Sequence, residues 1–223
     1  MPLKIDLHVH TCYSEDSLIT LEELIKQLRQ KSLDGAAITD HDTIEGAKKI
    51  LKSNIDDLLI IPGIEVSTKE GHILGINVME PIPSGLSVEE TIERIHEAGG
   101  IAIAAHPQTL LKDGLGLNHK ILNLGLDAIE VVNSSVFPFL PLTYLAKKFA
   151  ERYNIPQTAG SDSHMPETIG LAYTLINNDG DSVDDVIKAI RRGLTTPVGK
   201  GMPLTLRIKR AWKNFFSSQS LVA

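Results

Sequence analysis

His8 and His10 stand two residues apart in the run IDLHVHTCYSEDS, and a turn rich in hydroxyls and acids follows at once. A period of two sends alternate strand side chains to opposite faces. Leu3, Ile5, Leu7 and Val9 then form one set, and Lys4, Asp6, His8 and His10 the other. The two imidazoles therefore point the same way, with bases about 6 to 7 Å apart, close enough to converge on one ion. Further along, TDHDT sets His41 between two acids, GIEVS carries Glu65, HILGINV opens on His72, AAHP carries His106, and GSDSH carries Asp162 and His164. Imidazole mixed with carboxylate suits zinc, manganese or iron better than calcium, which prefers an all-oxygen shell. Any one of these residues also reads as a hydrogen-bonded core or loop group; together they read as a metal cluster.

Such residues need a scaffold, and the chain alternates strand-like and helix-like segments with short punctuation, the pattern of an α/β fold. Thr20 with Glu23, Ser87 with Glu90, and Ser182 with Asp185 have the spacing of helix capping boxes. AAITDH, LLIIPGIEVS, HILGINV, IAIAAH, DAIEVVNS and QTAGSDSH read as strands, and residues 171–177 as one more. Ile44–Leu51, LPLTYLAKKFAERYN and DDVIKAIRRG read as helices. His8, His10, His41, Glu65, His106, Asp162 and His164 fall at or just beyond the C-terminal ends of these strands. Parallel α/β barrels and sheets place their active sites there.

With 223 residues and 42% apolar content, the chain is long enough for one sizeable core. It has no apolar run of about 18 residues and no signal-like start, so the expected setting is cytoplasmic, without membrane. The single Cys12 cannot form an internal disulfide; it reads as a structural thiol before it reads as a ligand. The formal net charge is −6, but residues 200–223 carry five cations and no acid, leaving −11 on residues 1–199. That body does not attract a polyanion by its overall field. The division expected is a catalytic domain over 1–199 and a basic amphipathic tail over 200–223, with Leu204, Ile208, Trp212 and Phe215 on one helical face. Such a tail docks on the barrel or in a dimer interface, or touches nucleic acid or a membrane surface.

The succession HxH, TDH, GIE, AHP and GSDSH resembles the PHP family, named for polymerase and histidinol phosphatase domains, over roughly residues 3–178. The resemblance implies a distorted (β/α)7 TIM-like barrel with two or three divalent ions at the C-terminal mouth, a trinuclear site when complete. It implies His8, His10, Glu65 and Asp162 around one metal, and Glu65, His72 and His106 around a second, with the glutamate bridging. A third falls to an acid of the SEDS turn with His41 and His164; Glu15 and Asp16 are both available, and Asp16 is favoured. Asp40 and Asp42 read as groups that cap or orient His41.

The reaction expected of such a site is hydrolysis of a phosphate ester by a metal-activated water. The candidate catalytic residues are His41, Asp162 and His164, with either imidazole as the acid that assists the departing alkoxide. A small-molecule or nucleotide phosphomonoester is the substrate expected first, and RNA or DNA ends the alternative. Asn133, Ser134, Ser135, Lys69 and Lys112 are candidate substrate contacts that read equally as loop residues. A serine nucleophile at Ser161 or Ser163 is weaker, because no base remains once the histidines bind metal. His96 and His119 read as exposed. An amidohydrolase also carries HxH on its first strand, but no lysine stands at a strand end here to bridge metals once carboxylated. A non-catalytic, metal-stabilised binding module is the reading from another class.

Overall fold

The computed structural model describes residues 1–53, 55–109, 113–178 and 180–219, with side chains as far as Trp212. Lys112 and the side chain of Phe215 lie outside the described residues. The strands are β1 Leu3–Val9, β2 Gly35–Ile38, β3 Leu59–Ser67, β4 His72–Ile76, β5 Ile101–Ala104, β6 Ala128–Asn133, β7 Gln157–Gly160, β8 Ala172–Ile176 and β9 Thr195–Gly199. The helices are α1 Leu21–Gln30, α2 Glu45–Ile50, α3 Val88–Glu97, α4 Phe139–Tyr153, α5 Val183–Arg191 and α6 Leu204–Gln219.

The strands form one sheet in the order β7-β6-β5-β4-β3-β2-β1-β8-β9. β1, β2 and β3 pair in parallel, as do β5, β6 and β7, while β4 runs antiparallel to both its neighbours and β8 antiparallel to β1 and β9. The sheet curls until the segment after β7 meets β1. Asp162 N–H donates to His8 C=O at 2.8 Å and His10 N–H to Ser163 C=O at 3.0 Å. The result is the distorted α/β barrel that the motifs imply, nearly closed. Its distortion lies in the antiparallel β4 and β8 and in β9, a strand the sequence pattern did not announce. TTPVG is short and interrupted by proline, and it pairs only at the edge, where proline is tolerated.

Helix starts follow local chemistry. Thr20 and Ser182 each complete a reciprocal capping box, with Glu23 and Asp185. Ser87 does only half of this: it accepts Glu90 N–H, while the Glu90 carboxylate turns to Arg94 and Glu70 takes Val88 N–H.

One period-two expectation fails instructively. The pairing of β1 with β2 shifts register between Asp6 and Val9, a bulge that changes which face a side chain serves. Ile5 and Leu7 pack with Ala37, Ile61, Leu74, Ile103 and the α5 residues Val186 and Ile190, whereas Val9 packs with Leu24 and Leu28 of α1. Asp6 consequently does not share a face with the histidines. It is fully buried and accepts N–H from Ser161 and Gly170 at 2.8 Å each. Burial raises its pKa to about 6 against the pull of those donors.

At the end of the barrel opposite the mouth β2 and β3 leave no room for a side chain at Gly35. A Cβ on Gly35 would lie 2.0 Å from the Leu59 carbonyl oxygen, backbone that cannot yield without parting β2 from β3. Gly35→Ala should therefore cost about 1 to 3 kcal/mol, read as a lower urea midpoint at unchanged m-value.

Candidate metal centre

Strand ends deliver the ligand-type residues to one rim. His8 and His10 leave β1, His41 follows β2, Glu65 lies near the end of β3, and His72 opens the antiparallel β4 at that same end. His106 follows β5, and Asp162 and His164 follow β7. Among the described residues these side chains form four overlapping groups able to hold an ion: His8, His10, Asp162; His8, Glu65, His106; His41, Glu65, His72; and His10, His41, His164.

Glu65 is the hub. Its Oε2 lies 3.1 Å from His8 Nε2, 3.1 Å from His10 Nε2 and 3.3 Å from His41 Nδ1. Its Oε1 lies 3.1 Å from both His72 Nδ1 and His106 Nε2. Asp162 Oδ1 completes the first set at 3.4 Å from His10 Nε2 and 3.7 Å from His8 Nε2. At a third corner Asp16 Oδ2 is 2.8 Å from His164 Nε2, and Asp16 Oδ1 is 4.0 Å from His41 Nε2. Asp16, rather than Glu15, is thus the acid of the turn that meets the histidines.

The donor set fits metal ions. His8 Nε2 and His10 Nε2 are 3.1 Å apart and face the same carboxylate oxygen, so ring protons can satisfy only part of this contact. Ligands about 2.1 Å from a shared ion stand about 3 to 3.5 Å from each other, the spacing observed. Charge tells the same story. Burial alone would raise Glu65 and Asp162, but facing imidazoles hold both carboxyls well below the usual range. Burial likewise opposes His10, yet Asp162 and Glu65 push it up to about 9, and His8 too is raised against its burial by Glu65, Glu130 and Asp162. Burial lowers both His41 and His164. Asp16 falls to about 2, held down against burial chiefly by His164.

A second layer orients the first. Glu130, buried on β6, meets His8 Nδ1 at 3.1 Å and accepts His106 N–H and Asn133 Nδ2–H, each at 2.9 Å. Sequence reading passed over it as part of an apolar strand; the signal was an acid inside IEVVN with no polar neighbour before Asn133. Ser14 Oγ lies 3.2 Å from His10 Nδ1, donates to Asp40 and accepts His41 N–H at 2.9 Å. Asp40 thus reaches His41 only through Ser14, while Asp42 accepts Ser67 N–H instead. Two site residues take left-handed backbone, His106 at φ 30° and Asp162 at φ 53°. Strain of this kind persists where the surroundings over-determine it.

Other candidates fall elsewhere. Cys12 is exposed and outside the cluster. Ser161 and Ser163 are buried against each other, their hydroxyls in contact. His96 pairs with Asp127 and His119 lies against Tyr153. Lys69 is exposed, whereas Asn133 joins the site through Glu130 and Asp162. No helix among the described residues is long and apolar enough to cross a membrane.

A family model described as PHP-associated matches residues 144–195. An uncharacterized protein of Methanocaldococcus jannaschii is 40% identical over 143 residues, 59% of this chain and 82% of that protein. A 5′-3′ exoribonuclease of Salmonella typhimurium is 40% identical over 80 residues, 33% of this chain and 27% of the relative. Among solved structures, a two-domain protein of Bacteroides vulgatus containing a predicted PHP-like metal-dependent phosphoesterase superposes with a TM-score of 0.71 at 18% identity. That likeness covers 90% of this chain and 65% of the other. The chain belongs to the PHP family, the polymerase and histidinol phosphatase group of metal-dependent phosphoesterases.

Proposed function

We propose that this protein hydrolyses phosphate esters, a small-molecule or nucleotide phosphomonoester first, at a centre of two or three divalent ions of manganese, zinc or iron. The observation that carries this reading is Glu65, a buried carboxylate whose two oxygens face separate sets of imidazoles and so can bridge two ions. His8, His10, Glu65 and Asp162 would hold one, Glu65, His72 and His106 a second, and Asp16, His41 and His164 a third. Ions so held would supply an activated water and neutralise charge developing on the phosphoryl group.

The chain's own residues do the rest. Glu130 fixes the His8 ring through Nδ1, which leaves Nε2 for the ion. Asp162, anchored by Asn133, would orient the attacking water. Where the third corner holds no ion, a protonated His41 imidazolium would pass its Nε2 proton to the departing oxygen, with His164 as the alternative; His41 is the more open, at 28% side-chain exposure against 3%. The domain is proposed to span residues 1–199, with 200–223 as a basic appendage, in a cytoplasmic setting.

Attack on RNA or DNA ends is the second reading, favoured by the basic α6 beside the mouth and by the exoribonuclease relative. An amidohydrolase would need activity on amides, and a binding module would need none.

Protein stripped by chelation should release no phosphate from a panel of monoesters, nucleotides and short RNA, and regain activity with one of the three metals. Glu65→Gln and Asp162→Asn should each lower kcat/KM by more than about 100-fold, and Glu130→Gln should weaken metal affinity by about 10- to 100-fold. Retained turnover in the first two would remove the metal centre from the reaction.

Protons compete with metal at His10, raised from 6.5 to about 9 in the metal-free protein. Apparent metal affinity should therefore climb by up to about tenfold per pH unit between those values, with a proton released on uptake. Because the folded pKa is the higher one, the stabilisation from His10 is complete below 6.5 and lost as pH rises through 9. The metal-free melting temperature should fall across that window, and that of the loaded protein should not.

A further inference from the structure

Two arginines one turn apart on α6 meet the centre in different ways. Arg207 is consumed by the protein itself. Its guanidinium donates to the carbonyls of Ser134 at 3.1 Å, Ser135 at 2.8 Å, Val136 at 3.0 Å and Met202 at 3.2 Å. It also lies 5.1 Å from the centroid of the Phe137 ring. Met202 N–H adds a bond to Ser134 C=O at 2.8 Å. The start of α6 is thereby clamped onto the loop that follows β6, and that loop touches the centre, because Ser135 Oγ donates to the Asp162 carbonyl at 3.0 Å.

Three residues further, on the same helix face, Arg210 reaches the rim. Its Nη2 lies 3.5 Å from Asp16 Oδ2 and its Nη1 3.5 Å from Ser135 Oγ. Both separations are longer than a good hydrogen bond, so the guanidinium is held beside the centre without being used up. Its side chain is 25% exposed. The neighbouring Lys209 is engaged by Glu167. Among the described residues, Arg210 is the only lysine or arginine ion-paired to any of the candidate metal ligands.

An anionic substrate approaching a body that carries −11 over residues 1–199 needs local positive charge. A planar guanidinium matches two phosphoryl oxygens at once. We propose that Arg210 binds a phosphoryl oxygen of the substrate at the Asp16 corner, and that Arg207 is the positioning residue that sets α6 for it. The catalytic mouth is then completed by a residue of the C-terminal helix. This deepens, and rests on, the phosphoesterase reading above.

The test uses full-length, manganese-loaded wild-type, R210Q, R210K and R210A proteins. Inorganic phosphate is titrated by calorimetry, initial rates are measured on a phosphomonoester, and bound manganese and melting temperature are recorded for each. R210Q should weaken phosphate binding and lower kcat/KM on the order of 100-fold, the scale of one charge-assisted hydrogen bond. R210K, which keeps the charge without the fork, should fall between R210Q and wild type, at unchanged manganese content. Free guanidinium should restore part of the rate lost in R210A and leave wild type unaffected. Unchanged phosphate affinity in R210Q or R210K with manganese retained overturns the proposal. So does loss of manganese from R210Q, which would mean that Arg210 acts by holding Asp16. Phosphate titration reports on Arg210 even without turnover; a wild-type protein that binds phosphate but hydrolyses no ester would count against the phosphoesterase reading and not against the anion site.

Discussion

A carboxylate that is 1% exposed has to be neutralised from within, and Glu65 sets that demand on the whole rim. Desolvating an unpaired charge costs several kcal/mol, on the order of the stability of a domain. The protein meets this by aiming five imidazoles at the two oxygens. Without metal, His8 and His10 hold protons well above the usual histidine range, and the site is an ion-paired cluster. Under the proposed reading the same atoms would serve as ligands once metal is bound, so the charge balance that permits folding would also prepare binding.

That balance depends on how the sheet closes. The segment after β7 is bonded to β1 through the His8 carbonyl and the His10 amide, which fixes Asp162 beside the imidazoles of those two residues. Close packing enforces it. A Cβ on Gly160 would lie 2.3 Å from His8 Cβ and 2.6 Å from Glu130 Oε1. The bulge in β1 separates the duties of adjacent residues: Asp6 turns to the backbone of Ser161 and Gly170, and His8 and His10 turn to Glu65. The reversed β4 has a similar consequence, since an antiparallel strand begins where its neighbour ends and His72 thereby joins Glu65.

The second layer shows why the first holds its shape. Glu130 ties three parts of the rim together, the His8 ring, the His106 backbone and Asn133. Ser14 does the same for His10, Asp40 and His41. These are short polar side chains buried among apolar strands, where an unsatisfied group would be costly and a satisfied network is rigid. α6 ties in through Arg207 and the loop at Ser134 to Val136, so a segment that reads as an appendage is bonded to the same loop that supports Asp162.

The identity of the metal-type residues was legible in the chain, because histidines and acids at strand ends stand out against apolar runs, and the α/β alternation with its capping signals located most elements. Three things were not legible. β9 depends on edge pairing and the reversal of β4 and β8 on the strands that flank them, and neither leaves a periodic trace in TTPVG or HILGI. The bulge in β1 depends on register against β2, so strict alternation assigned Asp6 to the wrong company. Glu130 and Arg210 come from strand and helix interiors whose local pattern says only that they are strand and helix. The sequence by itself determined which chemistry is available and that it gathers at strand ends, since residue type and position along a strand are local properties. Which oxygen meets which nitrogen, which acid of the SEDS turn faces His164, and which arginine is left to meet an anion were decided by the tertiary structure, because each turns on distances between segments far apart in the chain.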